Sequence, residues 1–264
     1  MANFGIGTNR KHGTSYLDPV LKFLGLGARS QPGKNAGSRE LEALYSDEHL
    51  RITTSGDPTS PNLIMCFTGI SQAMGGIGAE EFIGSAKLPG YSAIFISDLK
   101  RSWFNGFPPS LLQDAIAGRT QGRKIVTIGN SMGGYGAIWA TSHWPIATAI
   151  AFAPQYSVHA GIVPAEKRWM EYRSNITQWR DNSLEASFHA QTQYFTLNGS
   201  LDQLHWSHFP KMENCEHILI HDSDHSPAAV LKTSGILGSV LDKCIANLSP
   251  FDVIEGAKIG CSRI

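Results

Sequence analysis

The feature that most constrains this chain is a series of short apolar runs, each shut off by turn residues, spaced between residues 63 and 222. Residues 63–67 end at Thr68-Gly69, 91–96 at Ser97-Asp98, and 125–128 at Gly129. Residues 147–152 end at Ala153-Pro154, 194–197 at Asn198-Gly199, and 217–220 at His221-Asp222. Runs this short, apolar almost throughout rather than at alternate positions, fit strands buried on both faces of a parallel sheet. Helices are expected between them at 79–86, 109–118, 133–142 and 226–241. Alternation of this kind implies right-handed crossovers and a three-layer α/β/α sandwich with a mostly parallel sheet.

The interval 155–190 breaks the rhythm. It carries Trp169, Tyr172 and Trp179 among many polar residues and is long for a plain crossover. Ligands of open α/β sheets bind beyond the carboxyl ends of the strands, so we expect this interval to be a short lid or cap insertion. The expected organisation is a loosely structured N-terminal arm over 1–45, a domain over 46–250 containing that insertion, and a C-terminal tail over 251–264. Within the arm, short helices are expected at 17–24 and 38–45.

Composition narrows the partners. Lys plus Arg and Asp plus Glu each total 22, a formal charge of zero, which gives no basic excess for nucleic acid or an anionic membrane. Cys66, Cys215, Cys244 and Cys261 form no C-x-x-C pair, so neither a zinc site nor a disulfide framework is expected, and no other metal or cofactor is called for. No run approaches the roughly 18 apolar residues of a membrane span, and residues 1–15 hold no apolar stretch suited to a secretory signal. The expectation is a soluble cytoplasmic protein acting on a small molecule.

The segment Gly129-Asn130-Ser131-Met132-Gly133 marks Ser131 as a candidate nucleophile. A serine hydroxyl attacks only when exposed, oriented and served by a base. A sharp strand-to-helix turn lifts it above the sheet, and glycine two residues before and after relieves the crowding. The apolar strand 124–128 runs into Gly129, and the small residues Gly133, Gly134, Gly136 and Ala137 follow, in the order the mechanism needs. The stretch 129–137 resembles the nucleophile elbow and following helix of the α/β-hydrolase superfamily, a resemblance of layout over about residues 50–245 and sharp only at the elbow.

That resemblance implies a Ser–acid–His order along the chain. Two histidines follow the last strand, His221 and His225. His225 is favoured as base because it sits in the loop before the helix, whereas His221 falls at the strand end. Asp202, just after the strand ending at Asn198-Gly199, is the favoured acid; Asp98, Asp222 and Asp224 are weaker candidates. The oxyanion donors implied are the backbone N–H groups of Met132 and Ile70. Arg101 and Trp103, in a loop after another strand, are candidate substrate contacts, the first for an anionic group and the second for stacking; an anchored structural loop is the equal alternative. The Gly-rich stretch 74–78 lacks a strand of its own, so a nucleotide site is not expected. The expected activity is hydrolysis of an ester or thioester of a small or polar acyl group through an acyl-enzyme. The alternatives are acyl transfer to a hydroxyl such as a sugar's, and a non-catalytic binding protein on the same fold.

Overall fold

The computed structural model describes residues 41–70, 80–84 and 88–264. Its nine-stranded sheet contains β1 (Glu42–Ser46), β2 (Leu50–Ser55), β3 (Asn62–Phe67), β4 (Tyr91–Asp98), β5 (Lys124–Asn130), β6 (Ile146–Phe152), β7 (Gln193–Gly199), β8 (Cys215–Ile220) and β9 (Cys261–Arg263), in the order β1-β2-β4-β3-β5-β6-β7-β8-β9. From β4 across to β8 every neighbouring pair is parallel; β1–β2, β2–β4 and β8–β9 are antiparallel. The described helices are α1 (Pro109–Thr120), α2 (Met132–Trp139), α3 (Met170–Arg173), α4 (Gln203–Trp206), α5 (Pro227–Thr233), α6 (Leu237–Ile245) and α7 (Phe251–Gly256). None of them is long and apolar enough to cross a membrane.

The unbroken apolar runs have a direct physical cause. Side chains alternate across a strand, and in β3 Leu63, Met65 and Phe67 enter one core while Ile64 and Cys66 enter the other. Residues of α1 and α2 belong to the first core, and residues of α5, α6 and α7 to the second. Both faces are therefore dry, and a polar residue on either side would need its own partner. Thr127 meets that requirement by donating its hydroxyl to the Ala137 carbonyl at 2.7 Å.

Several expectations are corrected at the edges. The segment 38–45 was expected to be helical, but Glu42–Ser46 forms the edge strand β1. Strand β2 alternates buried Leu50, Ile52 and Thr54 with half-exposed neighbours, a one-faced pattern too polar to read as a buried run. The expected helix 226–241 divides into α5 and α6 at Gly235, which sits at φ 76°. Residues 251–264 are no tail: they form α7, which contributes buried Ile254, and β9, which pairs with β8. Of the expected helix 79–86, residues 81–84 form a turn; its other members apart from residue 80, the whole of 1–40 with the expected helix 17–24, and the Gly-rich stretch 74–78 lie outside the described residues.

At the crossing of β5, α2 and β3 the backbones approach one another closely. A Cβ on Gly129 would collide with the backbone carbonyl of Gly133, and one on Gly133 with the carbonyl of Phe67 at the end of β3. Both obstacles are backbone and have little room to give. Gly118 in α1 has nothing within 4 Å of such an atom. We expect Gly133→Ala to cost about 3 kcal/mol or more and to lower the thermal midpoint by ~6–12 °C. Gly118→Ala should leave it unchanged or slightly raised. Calorimetry on the pair checks this; equal midpoints for the two variants would contradict it.

Candidate active site

Ser131 occupies the turn between β5 and α2 with φ 58° and ψ −119°, a conformation that L-residues rarely adopt. Its N–H donates to the Phe152 carbonyl at 2.8 Å, and its own carbonyl accepts the Tyr135 N–H at 3.0 Å, so both sides of the strained residue are tied down. The side chain stands at the carboxyl end of the central strands, where the register sets Phe67 of β3 opposite Gly129.

The loops after β7 and β8 bring two further groups to this point. Leu201 N–H donates to the Ser223 carbonyl at 3.0 Å, and Ser200 N–H to the Ile220 carbonyl at 2.9 Å, which staples one loop to the other. Gly199 permits the approach, since a Cβ there would strike the Asp224 carbonyl. The result is a chain of side chains: Ser131 Oγ lies 2.8 Å from His225 Nε2, and His225 Nδ1 lies 2.5 Å from Asp202 Oδ2. Burial works against ionisation of Asp202, but the hydrogen bond and charge of His225 and those of Arg168 outweigh it and hold its carboxyl well below the usual carboxylate range. Neither His221 nor Asp98 joins this chain. His221 is exposed against Ser262. Asp98 is buried and accepts the N–H groups of Ser102 and Phe104 at 2.8 and 2.9 Å, bracing its own loop.

Behind Asp202 lies a cluster that the sequence did not disclose. Arg168 donates through both Nη atoms to the two Asp202 oxygens, each at 3.1 Å, and through Nε and Nη2 to Glu166, the shortest contact being 2.6 Å. Glu166 is 0% exposed and also meets His205 Nε2 at 2.9 Å. Burial opposes its charge, yet His205 and Arg168 together hold its carboxyl down to about 2. Trp169 places its ring 5.2 Å from that of His225 and 4.7 Å from the Arg168 guanidinium. Partners 34 residues apart, such as Arg168 and Asp202, leave no local spacing by which to recognise them.

The remaining expected site residues are distributed as follows. Met132 is the first residue of α2, so its N–H has no carbonyl within the helix to bond. Ile70 is buried beyond the end of β3, and its carbonyl accepts Arg101 Nε at 3.2 Å. The Arg101 guanidinium lies 4.7 Å above the Tyr172 ring, so the side chain joins its loop to the insertion. Trp103 corrects the expectation of a stacking surface: it is 0% exposed, and its indole N–H donates to Gln155 at 2.7 Å. Arg101, Trp103 and Phe104 all have positive φ, and the buried Asp98 carboxylate holds this strained loop from within. Among the described residues, no group of three or more His, Cys, Asp or Glu is arranged to hold a metal ion.

Comparison with known proteins places this arrangement in a fold. No protein-family model matches the chain, and no match is found among curated proteins. Solved structures do match. A capsule O-acetyltransferase of Neisseria meningitidis serogroup A is similar at 13% identity and TM-score 0.52, over 80% of this chain and 97% of that one. The fluorophosphonate-binding serine hydrolase F of Staphylococcus aureus is similar at 14% identity and TM-score 0.50, over 78% and 99%. A chain of the glycosylation-associated protein complex from Streptococcus agalactiae is similar at 15% identity and TM-score 0.54, over 78% and 46%. The sheet order, the flanking helices and these likenesses define an α/β-hydrolase fold.

One buried carboxyl sits beside the expected oxyanion loop. Glu81 is 2% exposed, accepts the Gly69 N–H, and leaves Oε2 without a hydrogen-bond partner among the described residues. Burial pushes its carboxyl up to about 7. An unfolded chain releases this proton near pH 4, so between there and pH 7 the folded form holds the extra proton and stability falls as pH rises, by up to ~3 kcal/mol. Glu81→Gln should remove this dependence, matching the parent at pH 4 and exceeding its midpoint at pH 8. Thermal melts across that range check it, and an unchanged pH dependence in the variant would contradict it.

Proposed function

We propose that the protein is a serine acyl hydrolase in which Ser131 is the nucleophile, His225 the general base and Asp202 the acid that orients it. The observation that carries this reading is the continuous hydrogen-bonded chain from Ser131 Oγ through His225 to Asp202, above the carboxyl ends of the sheet. As Oγ attacks an acyl carbonyl, His225 Nε2 takes its proton, and the Asp202 carboxylate stabilises the imidazolium that results. The tetrahedral oxyanion is received by the N–H groups of Met132 and Ile70. Collapse transfers the proton to the departing alcohol or thiol and leaves an acyl group on Ser131. Water, deprotonated by the same imidazole, then releases the acid and frees the serine. The site calls for no cofactor or metal in this sequence, and its substrate is an ester or thioester with a small or polar acyl group.

A second reading, acyl transfer to a hydroxyl acceptor such as a sugar's, has its own support. One protein of similar fold is an O-acetyltransferase.

Ser131→Ala and His225→Ala should each abolish labelling by a fluorophosphonate probe, and Asp202→Asn should slow turnover of an activated ester by ~10²–10⁴-fold. Robust esterase activity in Ser131→Ala would overturn the proposal. A chain-length series of esters and thioesters, run with and without sugar acceptors, separates hydrolysis from transfer by the product formed.

A further inference from the structure

The acid of a Ser–His–Asp site usually faces the imidazole with its full negative charge. Here a guanidinium covers the same carboxylate. Arg168 grips both oxygens of Asp202 at 3.1 Å, one of which is the oxygen that meets His225 Nδ1. The arginine is itself countered by Glu166, fully buried, at 2.6 Å, and Glu166 is steadied by His205. A bidentate arginine fixes the plane of a carboxylate as well as neutralising it.

We propose that Arg168, held by Glu166, is a positioning residue of the insertion that aims Asp202 at His225 and sets the charge the imidazole meets. The proposal rests on the reading of Ser131, His225 and Asp202 as the reacting chain. Its consequence is that the insertion between β6 and β7 contributes to the chemistry through the acid as well as bordering the site.

The charges around His225 make the inference testable in sign. Asp202 faces it from the loop after β7, Ser131 from the elbow, and the uncharged Trp169 ring from the insertion. Behind Asp202 stand Arg168, then Glu166, and His205 of α4, whose burial disfavours its protonation. Lys167 borders the same surface depression as Asp202, and Asp222 and Asp224 lie on the loop of His225, exposed. With His205 neutral, the core trio of Asp202, Arg168 and Glu166 sums to one negative charge. Removing the arginine leaves two negative charges and favours the imidazolium; removing the glutamate charge leaves zero and disfavours it.

The experiment follows the rate of Ser131 labelling by a fluorophosphonate probe in the full chain from pH 5 to pH 9. The acid limb of this profile reports protonation of the base. In Arg168→Met the limb should move to higher pH by about one unit, and in Glu166→Gln to lower pH by a few tenths. Arg168→Lys, which keeps the charge but loses the fork, should hold the limb near the parent's while the plateau rate falls several-fold. Limbs that stay put in both Arg168→Met and Glu166→Gln, or that move in the same direction, overturn the proposal. Were Arg168→Met unable to fold, the downward shift in Glu166→Gln and the split between limb and plateau in Arg168→Lys would decide it. Failure of the underlying reading has a different signature: labelling that persists in His225→Ala.

Discussion

The structure depends on a backbone-to-backbone crossing that no side chain can occupy. Strand β5 passes into α2 so closely that Gly129 faces the Gly133 carbonyl, while Gly133 faces the end of β3. That proximity holds Ser131 in a strained positive-φ conformation and carries its hydroxyl out beyond the sheet. It also draws the loop after β3 toward the serine, since Phe67 and Gly129 are register partners. A β-carbon at either glycine would push these segments apart and would separate the serine from the Ile70 loop expected to face it. The strain at Ser131 is offset by its bonds to Phe152 and Tyr135 and by the burial of every residue of α2.

What could be read from the sequence follows from burial. The six central strands were legible because both of their faces are dry, which forces apolar residues at consecutive positions such as Leu63, Ile64 and Met65. The edge strands were not. In β2, Arg51 and Thr53 face partly outward, and β9 has only three residues, so neither produces a continuous run. The break between α5 and α6 turns on a single glycine, Gly235, whose role as a stop depends on a backbone angle that spacing does not specify. Ser131, Asp202 and His225 stood out because each lies in the turn or loop that follows a strand, where the chain must reverse and expose what it carries.

Long-range pairing was the part that stayed hidden. Trp103 reads as a ring available to a ligand, yet Gln155, 52 residues away, takes its N–H and the core takes its faces. Glu166 and Arg168 lie among the many polar residues of the insertion, and no sequence spacing ties them or His205 to Asp202. The fold instead closes them over Asp202, where the buried Glu166 charge is tolerable only because Arg168 and His205 surround it. The insertion is thereby anchored at Asp202 through Arg168, and it is also held at Asn105 and Phe107 by Arg180 and Asp181 and at α2 by Asp181. Its attachment to Asp202 gives it a physical connection to Ser131 through groups already in contact.

The central claim is that Ser131 becomes covalently acylated, and chemical quenching reads that event directly. The protein is mixed with p-nitrophenyl acetate, stopped in acid during the first turnover, and digested for peptide mass mapping. The account predicts an acetyl group on Ser131, formed as p-nitrophenol is released and lost as the next turnover begins. Release of p-nitrophenol with Ser131 unmodified, or with the acetyl group on another residue, would contradict it.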